Sequence, residues 1–322
     1  MMPPLKRIAE YIRATDNFLI TTHVAPDGDA LGSMFAMAEI LAILGKHAVM
    51  FNESGLPDRF AWIGSGQTIL TELPAAEPDV IIVLDCGDRE RAGTAILPWL
   101  GSKPVINIDH HLANPLFGTL NWVEQRTSSV GELVGRLAQE LGIPLVGMLG
   151  QYIYLALISD TGNFCFNNTR PETLEMAAEI LRMGLLPGPF HEHRQSTGTL
   201  NQLQMRGTVL QEARLYADGR IGLISFSRDL FERTSTGPED TEGLVNAVLY
   251  IQDVQVAISV REEEQGIKFS LRSKGSINVQ AVAASFGGGG HRNAAGGILD
   301  VDMESAQNSL VQAVTKAIHE AL

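Results

Sequence analysis

Three short apolar runs in this chain each stop abruptly in ionisable side chains. Residues 18–22 lead straight into His23-Val-Ala-Pro-Asp27-Gly-Asp29. Residues 80–84 end in Asp85-Cys-Gly-Asp88, and residues 105–108 end in Asp109-His110-His111. A fully apolar run of this length reads as a strand buried on both faces, the kind found in parallel sheets. A buried strand that delivers charge at its end belongs at the mouth of such a sheet, where open α/β folds bind ligands. A fourth apolar stretch, 152–158, has helical or mixed character and delivers Ser159-Asp160-Thr161-Gly162.

Between these runs the apolar spacing turns helical. Helices are expected over 3–14, over 30–44 with Gly45 as the stop, from Ser128 or Ser129 through Leu141, and over 171–183 before Gly184. Asp29 is the expected N-cap of the second helix, and the N-terminus of the third can face an anion. Strand and helix alternate, which predicts an α/β fold with a doubly wound parallel sheet. This first domain is expected over 1–187. A linker and polar connecting helix follow over 188–217, and a smaller α/β domain over 218–322. His191-Glu-His193 lies in the Pro/Gly-flanked linker without a third ligand and reads as surface. In the last domain, strands over 220–226, 254–261, 267–272 and 298–300 alternate with helices over 243–251, 278–286 and 303–322.

The 322 residues carry a formal charge of −13 with a pI near 5.0. Binding to long duplex nucleic acid rests on neutralising phosphates, so this balance argues against it. It leaves room for a small nucleotide in a local basic pocket. The two cysteines, Cys86 and Cys165, have no zinc or disulfide spacing and suit a reducing compartment. No apolar run approaches a membrane span. The expectation is a cytoplasmic protein without a membrane partner; a homodimer is left open.

Collected on one rim, the strand-end groups are His23, Asp27, Asp29, Asp85, His110, His111 and Asp160. Four carboxylates packed together oppose each other's ionisation unless cations are present. Mixed Asp/His ligation favours Mn²⁺, with Mg²⁺ or Co²⁺ as alternatives. The count suits two divalent ions bridged by Asp85. Such a pair clamps a phosphoryl group and activates hydroxide for in-line attack. The reaction class is phosphoester or phosphoanhydride hydrolysis, with no covalent enzyme intermediate. In the last domain, Gly287, Gly288, Gly289 and Gly290 precede His291-Arg292-Asn293. Four glycines let backbone N–H groups approach an anion, and His291 and Arg292 add donors. Arg272 and Ser273 supply a second anion contact.

These motifs, in this order, resemble the four motifs of the DHH phosphoesterase superfamily. Gly287 to Gly290 with His291-Arg-Asn-Ala-Ala-Gly296 looks like the signature of the DHH-associated C-terminal domain. The resemblance covers nearly the whole chain and is nearest to the NrnA-type branch. That branch degrades very short oligoribonucleotides (nanoRNA) and removes the 3′-phosphate of 3′-phosphoadenosine 5′-phosphate (pAp). It implies an active site in an interdomain cleft. It also implies roles: His23, Asp27 and Asp85 on one Mn²⁺; Asp29, Asp85, His110 and Asp160 on the other. His111 would contact the scissile phosphate or serve as an acid, and Asp109 would orient His110. Arg272, His291 and Arg292 would hold the far end of a small nucleotide or short single-stranded RNA.

Other members of the superfamily define the alternatives. They are a cyclic or linear dinucleotide phosphodiesterase, a RecJ-like single-strand exonuclease and an inorganic pyrophosphatase. A non-catalytic nucleotide sensor would have lost metal ligands, and all seven rim residues are present.

Overall fold

The computed structural model describes residues 2–64, 66–195, 198–241 and 243–321. The chain divides into two compact units, Met1–Thr197 and Gly198–Leu322. Among the described residues no helix is long and apolar enough to cross a membrane.

The first unit is built on six strands: β1 (Asn17–Thr22), β2 (His47–Phe51), β3 (Ile69–Leu70), β4 (Val80–Leu84), β5 (Val105–Asp109) and β6 (Leu120–Val123). All neighbours are parallel, in the order β3-β2-β1-β4-β5-β6. The chain therefore winds one way from β1 and the other way from β4. The crevice between those two strands is the topological switch point, where open α/β sheets bind ligands. The register aligns Thr22 with Leu84 and Leu84 with Ile108. The next residues, His23, Asp85 and Asp109, thus emerge at one edge by sheet geometry alone.

Among the described residues, seven α-helices complete the unit: α1 (Pro4–Ala14), α2 (Gly28–Ile43), α3 (Leu97–Leu100), α4 (Val130–Glu140), α5 (Gly147–Asp160), α6 (Pro171–Arg182) and α7 (Pro187–Gln195). The two-residue period of the strands splits the core. Phe18, Ile20, Ile82, Leu84, Ile106 and Ile108 pack against α1, α2, α4 and α5. Leu19, Ile81, Val83 and Val105 face the opposite layer with Ile96 and Leu100. The helices on the thicker side approach closely because small residues lie between them. A Cβ on Gly32 of α2 would stand 2.5 Å from the Tyr152 carbonyl oxygen of α5, and one on Gly131 of α4 would stand 2.2 Å from the Ala156 Cβ.

The segment expected as a linker is folded. Phe190 of α7 enters the first core, with its ring against Trp62 and Tyr154. Beyond it, the connecting helix is α8 (Leu200–Gln211), followed by the strand β7 (Arg214–Tyr216). Met205 and Val209 of α8 are buried in the second unit.

That unit continues with β8 (Ile221–Phe226), α9 (Arg228–Thr234), α10 (Leu244–Val248), β9 (Val256–Glu263), β10 (Gly266–Ser273), α11 (Val279–Ser285), β11 (Gly289–His291), β12 (Ala294–Leu299) and α12 (Met303–Glu320). Its sheet runs β11-β12-β10-β9-β8-β7, with only β8 and β9 parallel. The glycine tract, expected to offer its backbone N–H groups to an anion, is largely committed to secondary structure. The Gly287 and Gly288 N–H groups close the end of α11 on the carbonyls of Ala284 and Ala283. Gly289 and Gly290 belong to β11, paired to Gly296 and Ala295. Glycine is required there by close approach: a Cβ on Gly288 would stand 2.3 Å from the Gly296 carbonyl oxygen.

Close helix packing makes a testable demand. Gly32→Ala forces α2 from α5 and should lower stability by about 1–3 kcal/mol. Gly188→Ala, where a Cβ meets nothing within 4 Å, should change it by less than about 0.5 kcal/mol. Urea denaturation of both variants checks the contrast; equal midpoints would contradict it.

Candidate metal centre

Asp85 is the point where the rim converges. It follows β4 and continues the sheet, its N–H donating to the Ile108 carbonyl at 3.1 Å. Its φ of 57° is left-handed, a region aspartate tolerates better than most side chains. The residue is only 3% exposed, and its Oδ1 has no hydrogen-bond partner. Donor atoms of three groups lie within 4.8 Å of one another, and Asp85 belongs to each: His23-Asp27-Asp85, Asp29-Asp85-His110 and Asp85-Asp109-His111.

The two buried imidazoles aim their inner nitrogens at it. His23 Nδ1 lies 2.9 Å from the Val24 carbonyl. A carbonyl only accepts, so Nδ1 carries the proton. The other nitrogen, Nε2, faces Asp85 Oδ2 at 3.7 Å. Burial is the largest influence on His23 and lowers its pKa, which favours the neutral ring. A neutral Nε2 and a carboxylate are both acceptors, and only a cation or proton reconciles them. His110 repeats the pattern, with Nδ1 3.4 Å from the Thr127 carbonyl and Nε2 3.6 Å from Asp85 Oδ1 and 3.5 Å from Asp160 Oδ2. Burial disfavours its imidazolium, but the charges of Asp160 and Asp29 outweigh that and raise its pKa.

The carboxylates are positioned by different devices. Asp27, not Asp29, caps α2, accepting from the Asp29 and Ala30 N–H groups at 3.0 and 3.1 Å. Burial pushes its pKa up, but His23 and those two N–H groups pull it below the usual value. Asp29 is the anion that the N-terminus of α4 faces. Its oxygens accept from the Val130 and Gly131 N–H groups at 2.8 and 2.9 Å and from Ser33 at 3.0 Å. Ser129 is the N-cap of α4, accepting from the Glu132 N–H. Asp160 ends a helix rather than a strand, as the last residue of α5. Burial, against the pull of His110, raises Asp29 to about 6 and Asp160 to about 7. Asp85 is pushed well above the usual range, by burial first and then by Asp29, Asp27 and Asp160.

Asp109 was expected to orient His110; its partner is His111. His111 Nδ1 donates to Asp109 Oδ1 at 2.8 Å, and Asn114 Nδ2 donates to Asp109 Oδ2 at 2.6 Å. Burial opposes the charge on Asp109, yet the His111 hydrogen bond and charge hold its pKa down to about 2. On its far side, His111 Nε2 lies 3.2 Å from Arg91 Nη1. Neither Asn114 nor Arg91 was singled out in the sequence. A polar residue three positions beyond Asp109-His110-His111, and a cation in the Asp85 loop, were the available signals.

The second unit's candidates do not all point outward. Ser273 is buried, its hydroxyl donating to the Ile277 carbonyl at 2.8 Å and accepting from Asn293 at 2.9 Å, so it serves the turn rather than an anion. The Gly287 and Gly288 amides are spent on α11, which removes them as anion donors. Arg272 donates to the Leu271 carbonyl. His291 ends β11, and Arg292 is exposed, with one contact to the Ser276 carbonyl at 2.8 Å.

The profile of the DHH family, N-terminal domain, matches residues 17–157, and that of the DHHA1 domain matches residues 229–320. The chain thus carries a DHH N-terminal domain followed by a DHHA1 domain. It is a hydrolase of the DHH phosphoesterase type, and its clustered Asp and His side chains form a possible metal site. The bifunctional oligoribonuclease and PAP phosphatase NrnA of Thermus thermophilus is 29% identical, over 98% of this chain and 95% of its own length. Its Bacillus subtilis namesake is 28% identical, over 87% and 88%. Among solved structures, an exopolyphosphatase-related protein from Bacteroides fragilis superposes with a TM-score of 0.89 at 29% identity, covering 97% of this chain and 96% of that one. The DHH family's metal requirement fits these residues, because Asp85 Oδ1 is a buried acceptor without a donor at the meeting point of nitrogen and oxygen ligands.

The raised carboxylates carry a pH signature. An acid whose folded pKa exceeds its unfolded value stabilises the fold below the unfolded pKa and loses that contribution as pH rises through the folded one. For Asp29 and Asp160 the window runs from about 4 to about 7. Thermal unfolding in chelator should therefore show stability falling across this window more steeply in the parent than in Asp160→Asn. Parallel pH profiles for the two proteins would contradict the assignment.

Proposed function

We propose that this chain hydrolyses phosphoester bonds in small nucleotides, acting on very short oligoribonucleotides and on the 3′-phosphate of pAp. Two divalent cations serve the reaction, Mn²⁺ foremost. The observation that carries this is the unpartnered Asp85 Oδ1, shared by three donor groups at the switch point of a parallel sheet. The near-full-length likeness to the two NrnA proteins supports the substrate class.

His23, Asp27 and Asp85 would hold one ion, and Asp29, Asp85, His110 and Asp160 the other. When bound, the ions supply positive charge to the phosphoryl oxygens and activate the attacking water. The protein's own part is orientation and proton control. Asp109 fixes His111 with Nδ1 protonated, so Nε2 is the nitrogen left for substrate. Once protonated there, His111 is stabilised by the ionised Asp109 and hands that proton to the leaving oxygen, the role expected of a general acid. Asn114 keeps Asp109 from turning away. In the second unit, Arg272, His291 and Arg292 are the proposed donors to the substrate's outer phosphate, a job suited to guanidinium forks. The acidic surface and free cysteines accord with a cytoplasmic enzyme acting on small substrates.

The test is hydrolysis of pAp, di- to pentaribonucleotides, a cyclic dinucleotide and pyrophosphate with Mn²⁺. Hydrolysis of pAp and the linear oligoribonucleotides is expected to dominate. Asp85→Asn should lower kcat by about a thousandfold or more, the loss of several kcal/mol of charge stabilisation. The same variant should unfold at a higher temperature than the parent in chelator, because a repelled charge is gone. Retained activity in Asp85→Asn would refute the centre; turnover of pyrophosphate alone would refute the substrate class.

A further inference from the structure

We propose that Arg91 is a catalytic residue that binds an oxygen of the scissile phosphoryl group, a role that rests on the phosphoester-hydrolase reading above. Arg91 lies in the short helical turn Glu90–Ala92 beyond β4. Both its backbone groups are committed. Its N–H donates to Asp88 Oδ1 at 3.0 Å, and its carbonyl accepts from the Val24 N–H at 2.8 Å. Val24 is the residue after His23. The Arg91 backbone therefore ties the loop after β4 to the loop after β1, the two loops that flank the switch point. A side chain launched from that tie is aimed by the fold, not by chance.

The guanidinium then does something unusual for a cation near so many carboxylates. Among the described residues it makes no ion pair within 4.0 Å. Its contact is Nη1 to His111 Nε2, at 3.2 Å. Arginine only donates, so His111 Nε2 must accept. This agrees with the proton on Nδ1 that Asp109 requires. In the chain Asp109–His111–Arg91, His111 donates from Nδ1 and accepts at Nε2. An imidazole is a weak partner for a guanidinium, which has five donors arranged for an anion with two oxygens.

A phosphoryl group brought to the Asp85 cluster supplies that anion. Arg91 would exchange the imidazole nitrogen for phosphoryl oxygen, adding a positive charge where negative charge builds during in-line attack. The metal ligands are untouched by this exchange, since neither Arg91 nor its backbone partners supply one.

The experiment compares Arg91→Ala, Arg91→Lys and the parent on pAp and a diribonucleotide with Mn²⁺, with and without guanidinium ion at tens of millimolar. Mn²⁺ binding is measured in parallel by calorimetry. The backbone bonds that tie the loops survive in both variants, and Arg91→Lys keeps the charge if the alanine variant is unstable. The expected result is a fall in kcat/KM of about a hundredfold for Arg91→Ala, carried mainly by kcat, with unchanged Mn²⁺ stoichiometry. Free guanidinium should restore about tenfold to the alanine variant and nothing to the parent. A prop for His111 would not be rescued, so a loss that guanidinium does not relieve overturns the proposal, as does Arg91→Ala with parental kcat/KM. Failure of the parent to hydrolyse either substrate would instead refute the phosphoester-hydrolase reading, and the proposal with it.

Discussion

Buried like charge is the constraint around which the first unit is arranged. Asp85 shares groups of donor atoms no more than 4.8 Å across with Asp27, Asp29 and Asp109. At an effective dielectric of about 20, each such pair of ionised carboxylates repels by about 3–4 kcal/mol. A domain whose net stability is about 5–15 kcal/mol cannot carry several of these uncompensated. Compensation comes from three kinds of positive charge. Backbone dipoles serve Asp27 and Asp29 at the starts of α2 and α4. Side-chain donors serve Asp109. Asp85 has neither on Oδ1, which makes it the residue best placed to meet a cation.

The rest of the fold serves that arrangement. Parallel register places the ends of β1, β4 and β5 side by side, so three separate motifs meet without any long loop. Small residues at Gly32 and Gly131 bring α2, α4 and α5 together, which puts Asp29 against the amides of Val130 and Gly131. Helix packing and site electrostatics are therefore one problem. A change that separates α2 from α4 also removes two hydrogen bonds from a buried carboxylate.

Much of this was legible in the residues. Largely apolar runs of four or five residues, each ended by Asp, marked β4 and β5, and their alternation with helical spacing marked a parallel sheet. The gathering of His23, Asp27, Asp29, Asp85 and His110 followed from where such strands end, whereas Asp160 joins them from the end of α5. The hydrogen-bond partners did not follow. Whether Asp27 or Asp29 caps α2 depends on which carboxylate is claimed by α4, a contact across about a hundred residues of chain. Whether Asp109 holds His110 or His111 depends on alternation at the strand end, where adjacent side chains take opposite sides. The placement of the glycine tract did not follow either. Local composition cannot distinguish a loop that offers its amides from an edge hairpin whose glycines make room for a neighbouring backbone. Arg91 escaped notice because its place is set by two backbone bonds between loops, which leave no pattern in the sequence.

The central claim is that Asp85 is held unpaired in order to bridge cations. Anomalous scattering from crystals grown with Mn²⁺ tests it most directly. The account predicts two Mn²⁺ peaks about 3.5–4 Å apart, both within ligand distance of Asp85. One ion would lie beside His23 and Asp27, the other beside His110 and Asp160. Peaks that avoid Asp85, or a centre left empty at saturating Mn²⁺ with Asp85 hydrogen-bonded to protein, would contradict it.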